Sequence, residues 1–277
     1  MRVFRYNNKC EKKTEGGEAM SRLKIGFFDS GVGGISVMTL ARKALPMADY
    51  IYYADEAHVP YGTKSHSEII AYADEAVGCL VSHGVEAVVV ACNTATSIAI
   101  DHLREKYDLP IIGMEPALMP AVKTHPDEKI LLCATPVTIA GEKLHHLIEL
   151  SGAEPILVPL PGLVTFAENG VFDKETVCAY LSEEIGAERD FAAVVLGCTH
   201  FSFFRDCFRE MFGAKADIID GNIGTVKRLI SVLGEKIDNC DGGEGKVLYL
   251  VSGEVAEDDR IDLFESLSKR YNYILDI

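Results

Sequence analysis

From residue 23 onward, short apolar, β-branched runs alternate with longer stretches whose apolar residues recur at helical spacing. This alternation is typical of βαβ units and a mainly parallel sheet. The predicted strands are residues 23–28, 50–53, 87–91, 110–113, 129–133, 156–158, 192–196 and 245–251. The predicted helices are residues 35–44, 67–83, 95–107, 139–151 and 174–185, and a helical pattern then dominates to residue 233.

Two strands of this pattern end in the same kind of sequence. The third predicted strand leads into ACNTA at residues 91–95, and the seventh leads into GCTHF at residues 197–201. In open α/β sheets, ligands bind outside the carboxyl ends of the strands. Cys92 and Cys198 therefore lie where this rule places the chemistry, and if the two halves face each other, so do the two thiols.

A glycine-rich turn, DSGVGG at residues 29–34, follows the first strand and opens a helix. Its glycines let the backbone turn tightly and aim N–H groups at an anion. The spacing differs from the dinucleotide-binding pattern, and a plain strand–turn–helix connection capped by Asp29 has the same composition. A second turn, PYGT at residues 60–63, makes Tyr61 either a loop anchor or a donor to a ligand carboxylate.

Composition limits the class of protein. The 277 residues include 48% hydrophobic and 25% charged residues, close to the average for soluble globular proteins. The net charge of -15 opposes binding to nucleic acid or to an anionic membrane surface. The first 21 residues lack the apolar region of a secretion signal, and we expect this tail, up to the strand after Met20, to stand outside the fold.

The eight cysteines are scattered and show no framework spacing, so we expect thiols in the cytoplasm rather than disulfides. Six of them are expected to be small packed hydrophobes: Cys10, Cys79, Cys133, Cys178, Cys207 and Cys240. Cys92 and Cys198 differ because each is surrounded by polar residues at a strand-to-helix junction, where a helix N-terminus favours a thiolate. No zinc-binding spacing is present, so no metal is expected.

His200 lies two residues after Cys198, where an imidazole can tune or share a thiol proton. A cysteine hydrolase would use one such pair and leave the second cysteine motif without a purpose. Two matched thiols instead suit inversion at a carbon that bears an acidic proton, since one thiolate removes the proton from one face and one thiol delivers a proton to the other. The ordinary cysteine pKa, about 8.5, allows both states with modest tuning.

Four ordered motifs, DSGVGG, PYGTKS, VVVACNTAT and LGCTHF, resemble those of the glutamate racemases in the Asp/Glu racemase superfamily. The resemblance spans residues 24–233. It implies a cofactor-independent racemase that interconverts L- and D-glutamate and supplies D-glutamate for peptidoglycan. It also implies two pseudo-symmetric α/β domains with mainly parallel sheets facing a central cleft, the first formed by residues 22–116 plus 222–277 and the second by residues 117–221.

By this resemblance, Cys92 and Cys198 are the acid/base thiols, and Asp29 and His200 assist them. The residues that would contact the amino acid are Asp29, Ser30, Tyr61, Gly62, Asn93, Thr94, Thr199 and His200. The expected partner is thus a small-molecule substrate, with no cofactor, nucleic acid or membrane. Dimers are common among such enzymes, so a homodimer is one expected state.

The second half departs from the family pattern. The family usually shows VPLVE after the sixth strand, whereas this chain reads VPLPG and offers Glu168 only later, so an acidic helper is expected to be missing. Further departures from the usual residues are Gly141, Leu144, Gly162, Phe201 and Ser202. They keep three alternatives open: an aspartate or hydantoin-type racemase, a catalytically weak ligand-binding or regulatory relative, and a redox sensor that uses Cys92 and Cys198.

Overall fold

The computed structural model describes residues 22–237 and 244–275. The expected tail and the cysteines Cys10 and Cys240 lie outside the described residues. Among the helices of the described part, none is long and apolar enough to cross a membrane.

The strands form two separate sheets. In chain order the strands of the described residues are β1 (Lys24–Asp29), β2 (Asp49–Ala54), β3 (Ala87–Val90), β4 (Ile111–Gly113), β5 (Ile130–Ala134), β6 (Ile156–Pro159), β7 (Ala193–Leu196), β8 (Asp217–Asp220), β9 (Val247–Val251) and β10 (Glu254–Val255). One sheet has the order β10-β9-β2-β1-β3-β4 and the other β6-β5-β7-β8. Every pairing is parallel except β9 with β10. The mixed α/β architecture with mainly parallel sheets is therefore as predicted.

Helices cover both faces of each sheet. They are α1 (Ile35–Ala44), α2 (His66–Ser82), α3 (Asn93–Lys106), α4 (Leu118–Thr124), α5 (Pro136–Ala140), α6 (Glu142–Ser151), α7 (Pro161–Glu168), α8 (Lys174–Ile185), α9 (Arg205–Phe212), α10 (Asn222–Leu233) and α11 (Asp258–Leu275). Short 3-10 turns occur at Tyr61–Thr63, Thr199–Phe204 and Gly234–Lys236. We call the six-stranded sheet with its helices the first lobe and the four-stranded sheet with its helices the second lobe.

The hydrophobic core differs between the two sides of the molecule. One large cluster runs through both lobes, from Phe27 on β1 to Leu196 on β7, and includes Phe203, Phe264 and Tyr271. On the opposite face, two smaller clusters stay within one lobe each, beneath α2 and α3 in the first and beneath α4 and α6 in the second. In the part of the chain that the structure describes, a buried apolar cluster shared by both lobes therefore lies on one side of the molecule.

The strands and helices differ from the prediction in several places, and helices α4 and α7 were not predicted. The helix predicted at residues 139–151 is broken at Gly141, whose extended backbone (φ −76°, ψ 137°) ends α5 and precedes α6. Strand β8 lies in a region predicted to be helical, and α11 was not predicted. The helical spacing of the buried residues Phe264, Leu267 and Tyr271 was nevertheless present in the sequence. The domain boundaries near Pro116 and Gly221 stay a prediction, although β9 and β10 do join the first sheet.

Candidate active site

The carboxyl ends of the parallel strands bring the predicted chemistry together. Asp29 ends β1, Cys92 follows β3, and Cys198 follows β7 in the other sheet. Both thiols are 6% exposed, and Asp29 and His200 are more deeply buried. Residues from two sheets thus form one enclosed polar cluster, as the repeated motif predicted.

Cys92 caps the N-terminus of α3. Its Sγ accepts a hydrogen bond from the Ala95 N–H at 3.5 Å and lies 3.4 Å from the Ser30 Oγ. Burial, followed by the charge of Asp29, raises the pKa of Cys92 to about 12 despite these two contacts. The Ala95 N–H at the start of α3 does favour the Cys92 thiolate, as expected, but desolvation disfavours the charged form more strongly.

Cys198 belongs to a chain of three groups. Its Sγ lies 3.6 Å from His200 Nδ1, and His200 Nε2 lies 2.6 Å from Glu168 Oε1. Burial lowers the pKa of His200, but hydrogen bonds and charge interactions with Cys198 and Glu168 raise it well above its ordinary value. This chain of hydrogen bonds can therefore hold a proton on His200, next to the Cys198 sulfur.

Glu168 is the acidic residue that the sequence analysis expected to be missing. It ends α7, and this helix brings its carboxylate to His200, beside the second thiol, although Glu168 lies six residues after Gly162, where the family pattern has its glutamate. The expectation of a missing acidic helper near the second thiol is therefore wrong. The signal that could have found Glu168 is the helical pattern of residues 161–168, which was not assigned.

Asp29 links the two lobes. Its Oδ2 accepts a hydrogen bond from the Thr199 Oγ at 3.0 Å, and its Oδ1 accepts one from the Gly31 N–H at 3.0 Å. Burial raises the pKa of Asp29 to about 6, and the nearby His200 and these hydrogen bonds oppose that rise. Asp29 is thus poised to exchange a proton near neutral pH.

The backbone N–H groups of the glycine-rich turn do bind anionic groups, and these groups are side-chain carboxylates of the protein itself. The Gly31 N–H donates to Asp29, and the Val32 N–H donates to Glu168 Oε1 at 2.9 Å. The expectation that Asp29 caps the helix is wrong, because the N-cap of α1 is Gly34 and no side chain caps this helix. Asp29 instead accepts a hydrogen bond inside the turn, and the turn binds a second carboxylate, that of Glu168.

A threonine cluster closes the side of the cleft beyond Cys92. Thr94 Oγ lies 3.1 Å from the Thr135 Oγ and 3.3 Å from the Thr138 Oγ, and these two hydroxyls are 3.0 Å apart. Thr94 lies in the first turn of α3 of the first lobe, whereas Thr135 caps α5 of the second lobe and Thr138 lies within it. Asn93 donates from Nδ2 to the Met114 carbonyl at 3.3 Å, and its Oδ1 is buried without a partner.

Tyr61 is a loop anchor in this structure. Its hydroxyl donates to Asp55 Oδ2 at 2.6 Å, and Asp55 also lies within 3.0 Å of His58 Nδ1. The adjoining Gly62 faces Thr135, with 3.5 Å from an added Cβ to the Thr135 Cβ. Asp55, Thr135 and Thr138 were not identified from the sequence as site residues.

The remaining departures from the family pattern lie in packed positions. Leu144, Phe201 and Ser202 are buried, and Ser202 donates to Asp220 at 3.3 Å. The Gly162 N–H donates to the Tyr180 hydroxyl at 2.9 Å. Within residues 22–237 and 244–275, no group of three His, Cys, Asp or Glu side chains is placed to hold a metal ion.

Comparison with known proteins gives consistent results. The family model described as Asp/Glu/Hydantoin racemase matches residues 36–229. A glutamate racemase of Halothermothrix orenii is 48% identical over 240 residues, covering 85% of this chain and 95% of the relative. Glutamate racemase 2 of Bacillus subtilis is 42% identical over 245 residues, covering 86% and 92%.

The fold has close structural neighbours. One is the crystal structure of Escherichia coli glutamate racemase in complex with L-glutamate and the activator UDP-MurNAc-Ala. It superposes with a TM-score of 0.76 at 25% identity and covers 91% of this chain and 96% of that one. The chain therefore shares both sequence and overall architecture with these proteins along most of its length.

Proposed function

The chain belongs to the Asp/Glu/hydantoin racemase family, and from that premise we propose that it interconverts L- and D-glutamate by two-base transfer of the α-proton. The observation that carries this proposal is the pair of buried thiols on two facing lobes, each with its own acid/base partner. The relatives that share 42% or more of their residues with this chain and bear the name glutamate racemase support glutamate as the substrate.

The two thiols have different surroundings and different proposed roles. Cys92, with a raised pKa, is a thiol at neutral pH and is the proton donor. Cys198, beside the cationic His200, is the base that removes the α-proton. One S–H bond forms at Cys198 as the α-C–H bond breaks, and the Cys92 S–H bond breaks as the new C–H bond forms on the other face. The reverse reaction uses the same groups with their roles exchanged.

The substrate is anionic, and no lysine or arginine in the motifs stands out as the clamp for its carboxylates. We expect N–H groups of the first turn of α3, which have no partner within the helix, to bind one carboxylate. The polar side chains expected to bind the amino acid are Ser30, Asn93, Thr94 and Thr199. The unpartnered Asn93 Oδ1 is a ready acceptor for the substrate ammonium group. Gly62 and the backbone of Tyr61 complete the expected contacts.

We further propose that the product D-glutamate serves peptidoglycan synthesis and that the enzyme acts in the cytoplasm. These two points follow from the family. A homodimer is proposed on the same ground.

The test is proton NMR of L-glutamate and of D-glutamate incubated with the protein in deuterated water. The wild type should exchange the α-proton of both enantiomers and convert each into the other. Cys92→Ala and Cys198→Ala should each abolish racemisation, because each removes one of the two bases. Cys79→Ala is the matched control, since Cys79 lies on α2 away from the cluster, and it should retain activity.

Other outcomes separate the alternatives. Exchange with aspartate or a hydantoin but not with glutamate would keep the mechanism and reject the substrate. Binding of glutamate with no exchange of any of these compounds would reject the racemase and favour the ligand-binding relative.

A further inference from the structure

We propose that the glycine-rich turn of the first lobe positions the acid/base groups of the second thiol, with Gly31, Val32 and Gly33 as positioning residues for Glu168 and His200. The inference deepens the proposed function and rests on it for its kinetic consequences. No residue of this turn needs to touch the substrate for it to act.

The first observation is that one oxygen atom is shared. Glu168 Oε1 accepts the Val32 N–H at 2.9 Å and lies 2.6 Å from His200 Nε2. The backbone donor comes from the first lobe, whereas Glu168 and His200 both come from the second. The carboxylate that faces the imidazole is therefore held in place by the opposite half of the molecule.

The second observation is how closely the lobes approach. A Cβ added to Gly31 would lie 1.9 Å from Glu168 Oε1. A Cβ added to Gly33 would lie 2.2 Å from the Thr199 Oγ and 2.6 Å from His200 Nδ1. Real Cβ atoms do not come this close to other atoms, so any other residue at either position must displace these side chains. Neither glycine has a positive φ, so the requirement comes from this contact rather than from the backbone conformation.

The consequence concerns the proton on His200. The charged or titratable groups that face this imidazole are Cys198, Glu168 from α7, and Asp29 from β1. With its Nε2–H bound to Glu168, His200 presents Nδ1 to the Cys198 sulfur. Displacement of Glu168 removes the partner that fixes the ring and favours its cation, so the burial penalty then lowers the pKa of His200.

The experiment follows the His200 ring by NMR titration in the full-length wild type, Gly31→Ala, Glu168→Gln and the double variant. His200→Gln identifies the resonance among the eight histidines. Both single variants should lower the midpoint of the His200 titration by about one pH unit or more, the size expected when a close opposite charge is lost. The double variant should show no further shift, because both changes remove the same contact.

Kinetics provide a second readout. In Gly31→Ala and Glu168→Gln, kcat for glutamate should fall about 100-fold with little change in KM, since the altered groups act on a proton and not on substrate binding. Gly224→Ala is the matched control, because nothing lies within 4 Å of a Cβ added there. It should leave both the titration and the kinetics unchanged.

Three results would overturn the proposal: an unchanged His200 midpoint in Gly31→Ala, shifts that add in the double variant, or an equal effect of Gly224→Ala. If Gly31→Ala does not fold, the contact is tested by hydrogen exchange of the Val32 amide in Glu168→Ala. An exchange rate in this variant that is no faster than in the wild type would reject the contact. A wild type that does not racemise glutamate but shows the expected titrations would reject the proposed function alone.

Discussion

Asp29 is a residue of the site whose burial lowers the stability of the folded protein. Its carboxylate is completely buried and accepts hydrogen bonds from Gly31 and Thr199. Even so, burial raises its pKa from 3.8 to about 6. The folded protein therefore binds this proton more tightly than the unfolded chain does. A buried group with such a shift is typical of a functional site.

This shift makes a prediction for Asp29→Asn. Between pH 4 and pH 6 the unfolded chain has lost the proton while the folded protein still holds it, so the wild type loses stability as pH rises through this window. The loss is about 3 kcal/mol, from a shift of about two units at 1.36 kcal/mol each. The Asp29→Asn variant should not show this pH-dependent loss of stability. Its free energy of unfolding, compared with that of the wild type, should therefore rise with pH. Urea denaturation at pH 4 and pH 8 measures this.

Asp173→Asn provides the control. Asp173 caps α8, and hydrogen bonds from Thr176 lower its pKa below 3.8, so the stability of Asp173→Asn relative to the wild type should not rise between pH 4 and pH 8. Asp29→Asn should also lose most activity, because it no longer accepts a proton beside Cys92. An Asp29→Asn variant that is no more stable at pH 8 than at pH 4, relative to wild type, contradicts the raised pKa.

Among the secondary structure elements, α11 has an unexpected role at the site. It belongs to the first lobe, yet Arg270 on it donates to the Phe203 carbonyl at 2.9 Å and pairs with Asp206 at 3.2 Å. The Arg270 guanidinium also lies 4.6 Å from the centre of the Phe172 ring. Phe203 lies in the same 3-10 turn as Thr199 and His200. The last described helix therefore holds the turn that carries the second acid/base group.

We expect Arg270→Ala to destabilise the protein by about 2 kcal/mol, the usual cost of losing hydrogen bonds to a charged group that is largely buried. It should also lower kcat, because the turn at Thr199–Phe204 loses its support. Urea denaturation and initial rates measure the two effects. Lys269→Ala, an exposed neighbour on the same helix, should change neither. Loss of stability without loss of kcat would show that the turn holds its shape unaided.

The helices also show where sequence patterns suffice and where they fail. Helices α1 and α8 begin and end at the predicted residues, since their apolar spacing and flanking residues agree. The prediction of one continuous helix through Gly141 was wrong because the helical spacing of apolar residues continues across the boundary between α5 and α6. The extended Gly141, whose N–H donates to the Thr138 carbonyl, ends α5 there. Strand β8 has four residues with an aspartate at each end, so its apolar and polar residues do not alternate in the way that predicts a strand.

At the scale of the whole molecule, the fold and the thiol pair could be predicted, whereas the connections between the lobes could not. Parallel strands and the repeated cysteine motif are local patterns, and they placed Cys92 and Cys198 correctly at strand ends. The bond from the Val32 N–H to Glu168 joins residues 136 positions apart, and the bond from Thr199 to Asp29 joins residues 170 apart. Such contacts depend on how two sheets dock, which no local period encodes.

The large apolar cluster predicts that the two lobes unfold together. Phe203 is fully buried and meets Tyr271 of the other lobe at 6.3 Å between ring centres. Phe203→Ala should cost about 3–5 kcal/mol, the usual cost of removing a buried aromatic ring. A single cooperative transition should move to lower urea, observed by both fluorescence and circular dichroism. Tyr273→Ala, whose ring is 67% exposed, should have little effect.

Separate transitions for the two lobes in the wild type would contradict this prediction. They would show that the shared cluster contributes less than the core of each lobe.

The close approach of Gly33 to Thr199 has a consequence for recombination between relatives. Consider a hybrid chain that takes residues 117–221 from another family member. Its Gly33 comes from one parent, and the threonine and histidine that pack against Gly33 come from the other. The contact forms only if these two side chains lie in the same positions as Thr199 and His200. A donor with a bulkier pair would meet the turn of the recipient and separate the thiols. Crossover points between the lobes are therefore tolerated only when the two partners match at this one contact, however similar they are elsewhere.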